Sequence, residues 1–237
     1  LLNKIPEIYC QWFYAYLVIK QNIRVELIQT NDTVGFENFS IYNDRKGVYR
    51  NYDKMIESAV YGSVENGNIK SLEIRITPGK SAEENVKRIN DIESVIQNTK
   101  RGTRFPQSAY YFVFHFTKCE DADAKKKSFE GRYCRHYKKR CDLVKQANGI
   151  ARFRESYRQA ASRVLGIDAC SQEIGCRPEV FAVIFRFLTE HFPEETIGAE
   201  SVKQLRMTYH VGEDFLDIVD GLRAVDEAVR FLNLKCG

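Results

Sequence analysis

Apolar positions along this chain recur in two rhythms that alternate. The opening "LLNKIPEIYCQWFYAYLVIKQ" reads as an amphipathic helix, and the Asn-, Asp- and Gly-containing "QTNDTVGFENFSIYNDRKG" after it reads as loop and short helical turns. A helix is predicted at about Tyr52 to Asn66, with Met55, Ile56, Ala59 and Val60 on one face. In "KSLEIRITPG", Leu72, Ile74 and Ile76 alternate with Glu73 and Arg75 and stop at Pro78-Gly79, which predicts a strand. "SAEENVKRINDIESVIQNTKR" returns to helical spacing, with Ser81 and Glu84 forming a capping-box pattern ahead of Val86, Ile89 and Ile92.

The run from Tyr110 to Phe116 has the length of a strand and the composition of one buried on both faces. A long helix carrying "RFRESYRQAASR" leads to a third short strand, "VLGIDA". "RPEVFAVIFRFLTEHF" is a helix with Pro178 near its first turn, and "LRMTYH" a fourth strand. A closing helix from Asp217 to Leu232 is expected to turn Ile218, Val219, Leu222, Val225, Val229 and Leu232 to the core. Four strand–helix alternations predict an α/β fold with parallel strands. Sites in such folds lie at the carboxyl ends of strands. Here those ends are Thr77-Pro78, His115 to Lys118, Asp168 to Ser171, and His210 to Glu213.

Composition narrows the picture only slightly. A chain of 237 residues with 43% hydrophobic positions can bury a sizeable core, and its net charge of +4 is too small to imply nucleic acid. No apolar run approaches the ~20 residues needed to span a bilayer, and the first residues lack the basic start and small-residue cleavage site of a signal peptide. Seven scattered cysteines without CxxC pairs suggest reduced thiols and a cytoplasmic setting. A start without Met and an end on "NLKCG" lead to the expectation that the chain is a piece of a longer protein.

Three groups carry candidate chemistry. In "MTYHVGEDF", His210 is either a metal ligand with Glu213 as acid/base three residues on, or a polar cap on a strand-to-helix turn. In "GIDACSQEIGCRPE", Asp168 and Glu173 converge on the same end of the sheet, unless Asp168 merely caps a helix or pairs with Arg177. The tract "KKKSFEGRYCRHYKKRCDLVK" interleaves aromatics with cations, as a polynucleotide-binding surface or a solvated helix face would. Its Cys134, His136 and Cys141, taken with Cys119, match no usual zinc spacing.

Taken together, these motifs resemble the metal-dependent adenosine deaminases of the amidohydrolase superfamily, which are (β/α)8 barrels. "LEIRITP" is similar to the family's Glu-x-Arg-x-x-Pro at Glu73, Arg75 and Pro78, "GIDACSQE" to its fourth-strand motif at Asp168 and Glu173, and "YHVGEDF" to its His-Ala-Gly-Glu. The resemblance implies that residues 1–237 are one partial barrel, about strands two to five with their helices, with 119–145 as a basic insertion and "VGFENFSIYNDR" as a lid segment. It implies zinc, with His210 as the fifth-strand ligand and Glu213 as the general acid that protonates adenine N1. Asp168, Gly212 and Ser171 would contact substrate, Ser171 standing where the family has a glycine.

Departures accompany the match. No His-x-His exists in the chain, the expected strands six to eight lie beyond it, and His115, His136 and His191 match no family ligand position. One ligand does not hold catalytic zinc, so the chain alone is expected to be inactive. The wording of the last two helices resembles a large bacterial subgroup that includes an antiphage-system deaminase. This implies homo-oligomers and an ATPase or RNA partner beside the adenosine-containing substrate. Two rivals stand: another amidohydrolase acting on a different amine or ester, and an inert barrel-derived module for interaction or nucleic-acid binding.

Overall fold

The computed structural model describes residues 6–28, 51–64, 69–98, 106–121, 133–194 and 201–235. The chain divides into two compact units, Leu1–Val48 and Tyr49–Gly237. In the first, α1 (Glu7–Ile28) is the expected opening helix. The expected polar loop and lid segment that follow lie outside the described residues, as do residues 122–132 of the basic tract. Among the described residues no helix is long and apolar enough to cross a membrane.

The second unit runs α2 (Tyr52–Val64), β1 (Leu72–Ile76), α3 (Ala82–Gln97), β2 (Tyr110–Lys118), α4 (Tyr137–Ser156), α5 (Arg158–Ala161), β3 (Val164–Ser171), α6 (Ala182–Glu190), β4 (Arg206–Met207) and α7 (Ile218–Leu232). The predicted capping of α3 is present: Ser81 Oγ accepts from the Glu84 N–H at 3.2 Å. The Glu84 carboxylate reaches back to the Lys80 N–H, one residue earlier than an ideal box, at 2.9 Å. Buried Asn85 ties this turn to β1 by accepting from the Gly79 N–H.

The four strands form one parallel sheet in the order β1-β2-β3-β4. Sequential order without a reversal has no switch point of the doubly wound kind. Right-handed crossovers then send every connecting helix to the same face. The core confirms this, since one cluster joins Ile74, Ile76, Phe112, Phe114, Phe116 and Ile167 to Ile89, Ile150, Phe153 and Phe185 of the helices. The opposite face carries Glu73, Arg75, Tyr111, His115 and Asp168, and among the described residues of this unit no helix packs on it. This bears on a departure in β2: of the run from Tyr110 to Phe116, expected to be buried on both faces, Val113 is buried on this face but Tyr111 and His115 are only half-buried.

β4 is also shorter than expected, two residues rather than six. Its neighbours still run alongside β3, with the Thr208 and His210 N–H groups donating to the Ile167 and Ala169 carbonyls at 3.0 and 3.1 Å. Buried Arg154 fixes the approach to β4. It donates to the carbonyls of His191 and Lys203, and burial pushes its guanidinium down to about 10.

α7 corrects the expected core stripe. Of that stripe only Leu232 is buried, together with Gly221, Ala224 and Ala228, while Ile218, Val219, Leu222, Val225 and Val229 are exposed. The helix is turned by about a quarter from the predicted face. Arg177 helps set that rotation by pairing with Asp220 and, through two bonds at 3.1 and 3.2 Å, with Glu227. In α2, likewise, Ile56 and Val60 are buried but Ala59 is exposed.

Candidate metal centre

Two strands and the segment after a third deliver one cluster. The alternation of β2 sends His115 to the uncovered face, and the parallel register sets it beside Asp168 of β3. The extended segment after β4 brings His210 alongside. Asp168 is fully buried, and one oxygen, Oδ2, lies 3.3 Å from His115 Nε2 and 3.0 Å from His210 Nδ1. Ligand atoms of His115, Asp168 and His210 all fall within 4.8 Å of one another, so the group could hold a metal ion. Among the described residues no second such group exists, and Cys119, Cys134, His136 and Cys141 are not gathered into one.

The donor chemistry suits a divalent ion. Two imidazoles and a carboxylate equal the usual protein contribution to a catalytic zinc site, which leaves a fourth position open. Ligand bonds of about 2.1 Å in tetrahedral geometry put neighbouring ligand atoms roughly 3.4 Å apart, close to the two spacings around Asp168 Oδ2. His115 Nε2 is buried and, although 3.3 Å from Asp168 Oδ2, makes no well-formed hydrogen bond to a described atom, which suits a ligand nitrogen. Its other nitrogen faces the Cys170 thiol at 3.6 Å, an acceptor for an Nδ1 proton that would free the Nε2 lone pair. Burial, helped by nearby Arg75 and opposed by Asp168, holds the His115 imidazole below its usual value. Burial likewise pushes the Cys170 thiol up to about 11, so it stays protonated.

Arg75 complicates this fit. Its Nη1 donates to Asp168 Oδ2 and stands 3.5 Å from His210 Nε2, while its Nε bonds Glu73 at 2.6 Å. Unit charges 4 Å apart repel by about 4 kcal/mol at an effective dielectric near 20, and a divalent ion doubles that. The donor set fits a metal, but the guanidinium and the ion do not share this corner at the present spacing. Asp168 therefore pairs with Arg75, not with Arg177.

The turn after His210 is braced from two sides. Glu173, buried at the foot of the loop after β3, accepts the backbone N–H groups of Gly212, Glu213 and Asp214 at 2.6, 3.2 and 3.3 Å. Lys118, at the end of β2, donates to the His210 carbonyl at 2.6 Å and lies over the Tyr209 ring. Burial holds its ammonium below the usual lysine range, against the pull of Glu173. Gly212 has φ of +72°, and a Cβ there would come within 3.0 Å of Val225 Cγ2. Glu213 is thus pinned by its backbone while its side chain is exposed.

Among the residues predicted from sequence, Asp168 and His210 meet directly. Asp168, expected to contact substrate, lies against the two imidazoles. Ser171, Gly212 and Glu213 flank the cluster at the ends of β3 and β4. His115 was passed over because the family pattern has no ligand there, although it stands at the carboxyl end of an alternating strand.

Ser171 adopts φ of +75°, the left-handed region. That conformation explains why a glycine suits the position. Left-handed geometry costs a side-chain-bearing residue about 1–2 kcal/mol, and glycine gives back roughly 0.5–1 kcal/mol in chain entropy. Ser171→Gly is expected to stabilise the fold by about 0.5 kcal/mol, read as a small rise in the denaturation midpoint. No protein-family model matches this chain, and no curated protein matches it.

Proposed function

We propose that this chain is part of a zinc-dependent hydrolase that deaminates adenosine, free or within a nucleotide or RNA, to the inosine form with release of ammonia. In this reading the four parallel strands are an arc of a (β/α)8 barrel. The observation that supports it most is the His115–Asp168–His210 group, set toward the carboxyl ends of consecutive parallel strands on the face opposite the core helices. Three residues beyond His210 stands an exposed carboxylate, Glu213, whose backbone is fixed by Glu173.

His115, Asp168 and His210 would hold the ion, and bound zinc would supply an activated water for attack on the purine ring. Glu213 delivers a proton to adenine N1, so that electron density withdrawn from C6 has a place to go. The Gly212 and Ser171 backbones border the purine, and the Ser171 side chain narrows that border compared with a glycine. Asp168, in contact with both imidazoles, would orient them as well as hold the ion. Homo-oligomerisation, an ATPase or RNA partner and a cytoplasmic location belong to the same reading.

One observation favours the alternative of an inert barrel-derived interaction or nucleic-acid-binding module: the Arg75–Asp168 pair already neutralises the buried carboxylate. A single experiment separates the two. The intact protein, loaded with one equivalent of zinc, is assayed against adenosine, adenine nucleotides and adenosine-containing RNA by the absorbance change on deamination. Turnover abolished by chelation and restored by zinc supports the enzyme. Stoichiometric zinc with no turnover on any of these substrates sinks it.

A further inference from the structure

The Glu73-x-Arg75 pair has no part in the reaction outlined above, yet it reaches into the cluster. Resting on the metal reading, we infer that Arg75 is the resident counter-cation of the site and exchanges with the metal ion. Without metal, the buried Asp168 carboxylate needs a positive partner, because an unpaired charge in that position is strongly unfavourable. Arg75 supplies it through Nη1, close to where His210 Nε2 also lies. The entering ion takes over neutralisation of Asp168 and removes the need for the guanidinium.

A seat for the displaced group is already built. Arg75 Nε bonds Glu73 Oε1 at 2.6 Å, and Tyr111 Oη donates to Glu73 Oε2 at 3.1 Å, so the Glu73 carboxylate is oriented toward Arg75. Exchange breaks the Nη1–Asp168 hydrogen bond and keeps the Nε–Glu73 bond as a pivot. Arg75 is about one-third exposed, which gives its outer end room to swing. Asp168 is wholly buried and cannot follow. The consequence is that metal affinity is set by competition with an internal cation as well as by the ligands. Metal loading and an Arg75–Asp168 contact are then mutually exclusive.

Two measurements on the complete chain test this. Cobalt(II) titration followed by absorbance, with zinc calorimetry alongside, compares the wild type with Arg75→Gln, which can still donate one hydrogen bond to Asp168 but carries no charge. Arg75→Gln is expected to bind at least tenfold more tightly; equal or weaker binding by the folded variant overturns the exchange. The second measurement needs no variant. Phenylglyoxal labelling of Arg75 in the wild type, quantified by mass spectrometry, should rise severalfold at saturating zinc, and labelling that zinc leaves unchanged overturns the exchange even where Arg75→Gln fails to fold. The outcomes separate from those of the functional reading. Metal bound equally by both proteins sinks only the exchange, whereas metal bound by neither sinks the metal centre with it.

Discussion

Glu213→Gln in the zinc-loaded protein is expected to abolish measurable deamination while metal content stays near one ion per chain, and His210→Ala is expected to remove both. The two substitutions act on different links. Glutamine keeps the size and polarity of Glu213 but has no proton to give, and general acid catalysis is commonly worth about 10²–10⁴ in rate. The Glu213 side chain is exposed, and its backbone is held by Glu173 independently of the side chain, so the fold should be indifferent to the change. His210 is instead one of three ligand residues in the group. Its loss leaves an imidazole and a carboxylate, short of the three protein ligands that catalytic zinc usually takes. Turnover assays with metal analysis on both variants decide the matter. Wild-type turnover in Glu213→Gln would refute its role as the acid, and undiminished zinc in His210→Ala would move the metal elsewhere.

The difference between what the sequence makes visible and what it hides follows from the range of each interaction. Ser81 capping α3, and Leu72, Ile74 and Ile76 alternating in β1, depend on residues a few positions apart, and both are legible along the chain. The strand ends are legible for the same reason, and His115, Asp168 and His210 all stand at them. The part that His115 plays is not legible there. Its meaning depends on the lateral register of β2 against β3, which puts it beside Asp168 across a gap in sequence that no local pattern spans. The rotation of α7 is hidden in the same way. Periodicity finds its apolar stripe correctly, but which face turns inward is settled by the small side chains at Gly221, Ala224 and Ala228 and by the distant Arg177. Arg75 read as part of a motif, yet its approach to His210 needs three strands in register. A sequence can therefore show where a site should lie while concealing which charges compete within it.

Glu173 should prove as important as the residues that meet the metal, although it touches neither metal nor substrate in the functional reading. Its two oxygens accept three successive backbone N–H groups, those of Gly212, Glu213 and Asp214, from a buried position. Hydrogen bonds to a charged acceptor are worth about 1.5–3 kcal/mol each, and a buried N–H left without a partner costs a comparable amount. Glu173→Ala is therefore expected to destabilise the fold by about 3 kcal/mol or more, read by chemical denaturation. The damage should not stop at stability. The turn that Glu173 holds joins His210 to Glu213, and with the brace gone the Lys118 bond to the His210 carbonyl and the His210 N–H bond to Ala169 anchor its start but not the three N–H groups beyond it. Metal affinity should fall about tenfold, in the range seen when groups supporting a ligand are removed, and turnover should fall further because Glu213 loses its fixed place. Glu173→Gln separates charge from shape. Its single amide oxygen can serve one end of the row, but its NH2 group faces an N–H donor at the other, so both losses should be intermediate. A Glu173→Ala protein with unchanged denaturation midpoint and unchanged metal affinity would show that the turn holds itself, and that the brace seen between β3 and the end of β4 has no consequence for the site.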